Sequence, residues 1–217
     1  MSGVDDCSWC YTGDEIESEL ESVEKEAELR KINRFWMKND PTQEAQVTFV
    51  DDTLALGHKP ALAVYEHQVP VNGSYKNWFT CLGKGKCPLC KAGDKKGGWA
   101  YYAGIFTVID HRVWTNSKTG KEHKDELKLF VAKTNVLRIM QRISKKRDGL
   151  RGAVIDIVRS GDKSPNVGSN FEFARKVELN SDVQPFNYKE IFKPRSVEIL
   201  MGIVGVSFDD EGEEIPF

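Results

Sequence analysis

The chain has 217 residues, 40% of them hydrophobic, with 31 Lys+Arg against 33 Asp+Glu. That is enough apolar material for one large domain with a real core, and no apolar run reaches the roughly 18 residues a membrane span needs. The start, MSGVDDCSWC, has no basic stretch leading into an apolar one, so a secretory signal is not expected and the setting read for the chain is cytoplasmic. In such a reducing compartment the five Cys are read as metal ligands or thiols, not disulfides.

The net charge of −2 conceals a segregation. Residues 1–28 hold ten acids and one base, and residues 209–217 hold five acids and none. Between them, 29–208 keeps 30 Lys+Arg against 18 Asp+Glu, a net +12. A basic body between acidic ends suggests a polyanionic partner.

In chain order, Thr12 to Glu15 reads as a capping box, followed by Ile16, Leu20, Val23 and Ala27 at helical spacing, which predicts a helix over about 14–36. From 46 the period changes. QVTFV (46–50), ALAVYEH (61–67), WAYYAGIFTVIDHRVW (99–114), ELKLFVA (126–132), AVIDIV (153–158) and FEFARKVEL (171–179) are rich in β-branched and aromatic residues and separated by turn signals. The 99–114 run is apolar on both alternating faces, as a long bent strand shared between two layers would be. One helix interrupts, TNVLRIMQRISKKRDG (134–149), with Val136, Leu137, Met140 and Ile143 as its apolar stripe and Gly149 as its C-cap. A last helix is expected near 188–205.

This order predicts a mainly β, α+β chain: a five-stranded OB barrel carrying an inserted zinc-binding subdomain, with an added hairpin as an option. The expected divisions are an acidic N-terminal segment with a helix (1–38), the OB core (39–180) with a zinc loop at 67–98, a C-terminal helical segment (181–206) and a disordered acidic tail (207–217).

Between 66 and 90 lie His67, Cys81, Cys87 and Cys90. Cys87-Pro88-Leu89-Cys90 is a CxxC knuckle, and His67 and Cys81 complete a Cys3His set, the closed coordination of structural zinc. Such a site leaves no position for a reactive water, so it would brace a loop and do no hydrolysis. A competing set joins Cys7 and Cys10 to Cys87 and Cys90.

Lys84, Lys86, Lys91, Lys95 and Lys96 stud the knuckle, and Trp99, Tyr101 and Tyr102 follow. Cations that track phosphates beside aromatics that stack bases are the equipment of proteins that hold single strands. With Arg112, Lys128, Lys133, Arg138 and Arg175 these residues make up the candidate nucleic-acid contacts, although at least half of the aromatics are expected in the core. GKGK (83–86) is not a phosphate loop, since Cys87 stands where Ser or Thr is required. His111 and His123, next to Asp110 and Glu122, are not read as catalytic because strand neighbours point to opposite faces.

VTFVDD, ALAVYEHQVPVNG, a Cys fourteen residues after the His, CPLC, YYAGIFTVID and GSNFEFARKVEL together resemble the helix-destabilising single-stranded DNA-binding proteins of T-even-type tailed phages, over about 45–180. The resemblance implies an OB core and a zinc subdomain that clamp a few nucleotides without sequence preference, in replication, recombination and repair. It implies zinc at His67, Cys81, Cys87 and Cys90, and places Tyr101 where the family has a DNA-contacting tyrosine. The family's N-terminus is basic and mediates cooperative binding; residues 1–28 here are acidic, a departure from that pattern.

The tail Asp209, Asp210, Glu211, Glu213, Glu214, Ile215, Pro216 and Phe217 also resembles the terminus of bacterial single-strand-binding proteins, whose acids meet a basic rim while the last Phe fills a pocket. The sequence therefore reads as a binding module and not an enzyme, one that coats single-stranded DNA and recruits replication and recombination proteins through its tail, in the host cytoplasm if phage-encoded. No membrane partner is expected, and weak self-association on DNA is left open. The alternative is a zinc-containing RNA-binding or transcription-regulating protein on the same barrel.

Overall fold

The computed structural model describes residues 32–38, 43–71, 74–93, 99–115, 119–161 and 163–204, together with 17–18 and 20–21. Those last four residues are helical, within the expected N-terminal helix, whose capping box lies outside the described residues. The helix does not extend to 36. Residues 35–38 carry no regular structure, Arg34 makes a parallel bridge to Leu129, and Phe35 is buried. Phe35 and Met37 are worth more in the core than on a solvated helix, so the chain is extended here.

Nine strands follow among the described residues: β1 Gln43–Phe49, β2 Leu62–Val71, β3 Ser74–Thr80, β4 Tyr101–Asp110, β5 Trp114–Thr115, β6 Glu122–His123, β7 Glu126–Lys133, β8 Ala153–Arg159 and β9 Asn170–Lys176. The protein is mainly β, with few helices. β5 and β6 form a separate small hairpin. The other seven make one antiparallel sheet, ordered β3-β2-β4-β1-β8-β9, with β7 also on β4. β4, shorter than the expected 99–114 run, lies inside the sheet: residues 101–105 pair with β2, 108–110 pair with β1, and 103–110 pair with β7 along the other edge.

The expected barrel closure is not made by strand pairing. The segment after residue 33 takes up the exposed edge of β7: Phe35 donates its N–H to Leu129 at 2.8 Å, and Met37 donates to Asn166 at 2.8 Å. Arg159 then donates to the Met37 carbonyl and, at 3.0 Å, to that of Ser164. Backbone groups that a closing strand would satisfy are thus satisfied by the entering chain.

Phe35, Phe49, Phe106 and Phe130 form the centre of the core, with Phe49 edge-on to both Phe106 and Phe130. The helix Thr134–Lys146 covers it through Val136, Leu137 and Met140. Gly104 permits that approach: a Cβ there would stand 2.6 Å from Leu137 Cδ1. At the far end of the helix, Gly149 donates its N–H to Ser144 at 2.9 Å, the capping bond expected of it.

The last helix is broken. Pro194 follows a single turn at Tyr188–Ile191, and a new helix runs over Val197–Val204. Proline lacks the N–H a continuing helix needs, which separates the two pieces. No described helix is long and apolar enough to cross a membrane.

Candidate metal centre and nucleic-acid groove

The β2–β3 hairpin brings the first two ligands together. His67 pairs with Phe79 across the strands, and Cys81, just past β3, donates its N–H to Tyr65 at 2.8 Å. Gly83, at φ +97°, turns the chain; its carbonyl accepts from Lys86 and Cys87, and its N–H donates to Cys81 Sγ at 3.3 Å. Pro88 starts the short helix Pro88–Ala92, with Cys87 as its N-cap.

His67, Cys81, Cys87 and Cys90 present their ligand atoms within 4.8 Å of one another. Cys81 and Cys90 sulfurs are 3.5 Å apart, and His67 Nε2 lies 3.6 Å from Cys87 Sγ and 3.4 Å from Cys90 Sγ. Bond lengths near 2.3 Å to sulfur and 2.0 Å to nitrogen give a tetrahedron with edges of roughly 3.5–3.8 Å, so the spacing fits a four-coordinate ion. None of the three thiols is in a disulfide. Of the two ligand sets considered from sequence, this local one is what the fold assembles; Cys7 and Cys10 lie outside the described residues.

The electrostatics favour a cation. Burial pushes the Cys87 thiol up, but backbone hydrogen bonds from Leu82, Cys90 and Leu89 outweigh it and hold it below its ordinary value. Burial, reinforced by Cys81 and Cys87, pushes Cys90 up to about 12, and burial raises Cys81 as well. Cys87 is thus held toward its thiolate and Cys81 and Cys90 toward their thiols, a difference that a divalent ion would offset. Cys87 and Leu89 are buried with Val69 beneath Leu200 and Val204 of the last helix.

A groove of about 230 Å³ opens beside this module, lined by Arg34, Trp36, Trp78, Tyr101, Lys133 and Val136 among others. Its floor is a hydrogen-bonded knot around Glu66, only 1% exposed. Arg34 engages both Glu66 oxygens, and Tyr101 donates its hydroxyl to Glu66 at 2.7 Å. The Arg34 guanidinium lies 4.2 Å above the Trp78 ring, and Lys133 Nζ lies 4.0 Å above Tyr101. Burial holds the Lys133 ammonium below its usual range and, with the Glu66 charge, raises the Tyr101 phenol. The site therefore presents a protonated phenol and two aromatic rings, each with a cation over it, Arg34's charge being paired with Glu66.

The other candidate contacts are dispersed. Lys84, Lys86 and Lys91 are exposed around the knuckle, Trp99 is 76% exposed, and Tyr102 forms an exposed cross-strand pair with Tyr65 at 5.2 Å. Arg138 and Arg175 are exposed on the long helix and β9. Arg112 and Lys128 both bind the buried Asp110, at 2.7 and 2.9 Å, so their charge is largely compensated inside the protein. Lys95, Lys96 and residues 209–217 lie outside the described residues. Sequence reading missed Arg34, Trp36, Glu66 and Trp78. Their one available signal was the charged Glu66 within β2, which when buried demands a partner.

His111 sits between Thr48 Oγ1 at 2.7 Å and Asp125 Oδ1 at 2.5 Å, the order of a hydrolase triad. Thr48 is 2% exposed within β1, so no substrate carbonyl can reach its hydroxyl. No family model matches the chain, and neither a curated protein nor a solved structure does.

Proposed function

We propose that the protein binds single-stranded DNA without sequence preference, coating and protecting it during replication, recombination and repair. The observation that carries this reading is the groove in which Arg34 lies on Trp78 and Lys133 on Tyr101. Aromatic faces beside cations suit unpaired bases joined by phosphates, whereas a duplex hides its base faces. The resemblance to T-even-type phage single-strand-binding proteins, which placed Tyr101 at a DNA contact, supports the same assignment. On this reading the strands form an OB-type core whose closure is completed by the entering segment, and His67, Cys81, Cys87 and Cys90 hold a structural zinc. That zinc fixes the wall of the groove contributed by Trp78.

The acidic tail recruits replication and recombination proteins, its carboxylates meeting a basic rim and Phe217 entering a pocket. It also competes with DNA for the basic body. The test is tryptophan fluorescence during titration with oligo(dT), repeated with duplex DNA and at two salt concentrations. Saturable quenching by oligo(dT), weaker with duplex and weakened by salt, is the expected result. No quenching together with no mobility shift refutes the assignment. Tighter binding of RNA than of DNA of equal length would move it to the RNA-binding alternative.

A further inference from the structure

The helix Thr134–Lys146 carries no acidic residue, and its outward face presents Arg138, Arg142, Lys145 and Lys146. Arg138, Arg142 and Lys146 follow one another at four-residue steps, a single row about 12 Å long. None of the three forms an ion pair with a described residue. A helix whose outer face served only solvation would mix signs along that row, because like charges four apart repel by a few tenths of a kcal/mol per pair. Here the repulsion is kept.

The placement is specific too. The row starts beside the groove, since Lys133 and Val136 line it and the helix begins between them. It ends at β9: Lys176 donates its ammonium to the carbonyls of Arg147 and Asp148 at 3.0 and 2.6 Å, next to exposed Arg175. Cations thus follow from Lys133 at the groove along the helix to Lys176 of β9, with Asp148 the one acid at the helix end.

We infer that this row is a phosphate track, a second segment of the nucleic-acid surface that holds the backbone of a single strand after it leaves the groove. Its three cations stand about 6 Å apart, one for each of roughly three successive phosphates of an extended strand. It offers no exposed aromatic ring, so it contributes charge and no stacking, and a strand must extend beyond the groove to use it.

The inference rests on the single-strand reading, and the experiment separates the two. Wild-type protein and the R138Q/R142Q/K146Q variant are titrated with oligo(dT) of about six and about twenty nucleotides across a range of salt. The short strand should bind both proteins alike. With the long strand, the salt slope should fall by about 2 in the variant, near 0.7 for each lost phosphate contact. The charge-preserving R138K/R142K/K146R variant should restore it. If wild-type protein binds neither strand, the single-strand reading and the track fall together. If both strands bind wild type and the long-strand slope is unchanged in the variant, the track is wrong and the groove reading stands. An unchanged slope with loss of binding to a peptide of residues 209–217 would assign the row to the acidic tail instead, and likewise overturn the inference.

Discussion

Tyr188 donates its hydroxyl to Asp51 at 2.7 Å, tying the turn before the last helix to the end of β1. Thr107 donates its backbone N–H to the other Asp51 oxygen at 2.7 Å. Burial nevertheless dominates, and raises the Asp51 carboxyl from 3.8 to about 6 against the pull of these donors. A carboxyl raised in the folded state binds its proton more tightly there. Its contribution to stability is therefore full below about pH 4 and lost as pH rises through 6.

The D51N variant isolates that linkage. The stability advantage of wild type over D51N should shrink between pH 4 and pH 7, by an amount on the order of 3 kcal/mol if the whole interval is realised. Denaturant unfolding at a series of pH values measures it. A constant difference would mean that Asp51 titrates at its ordinary value.

Metal removal should reach farther than the knuckle. Chelation should lower Tm by about 10 °C, corresponding to roughly 4 kcal/mol of binding linkage. The L200A variant should cost about 2–5 kcal/mol in metal-loaded protein, since Leu200 is fully buried in the knuckle's cluster. In chelated protein the same substitution should cost much less. Equal costs in both states would separate the last helix from the metal.

W78A and Y101A should each weaken oligo(dT) binding by about 1–3 kcal/mol, the range for one stacked base. Y101F should bind nearly as wild type, because its hydroxyl serves Glu66 and not the ligand. Isothermal titration at fixed salt distinguishes these outcomes. A folded Y101A protein with unchanged affinity would remove that ring from the contact surface.

Deleting residues 209–217 should tighten oligo(dT) binding, most at low salt, where five carboxylates compete best with phosphate for the basic body. Affinity that does not change at any salt concentration would leave partner recruitment as the tail's only role.

Much of the strand order was legible in the residues, because VTF, GIFTVI, KLFVA and AVIDIV alternate or saturate with apolar side chains according to how many faces they bury. The metal ligands were legible because Cys87 and Cys90 are local and the helix start at Pro88 sets their geometry. What escaped was long-range. Residues 32–36 extend a helical pattern in sequence, yet Phe35 gains more from burial against Phe130. The groove escaped for the same reason: Arg34, Glu66, Trp78, Tyr101 and Lys133 meet only after four strands and the entering segment have been placed. Arg112 and Lys128 looked like surface cations until Asp110 was found buried between them.

The cover of the metal module has a consequence for synthesis. All four ligands have been made by residue 90, while Leu200 and Val204, which seal Cys87 and Leu89, are translated more than a hundred residues later. A nascent chain can therefore gather the four ligands long before it can hide the apolar side of the knuckle. During that interval the apolar side of the knuckle stays uncovered, and only the completed last helix can bury it.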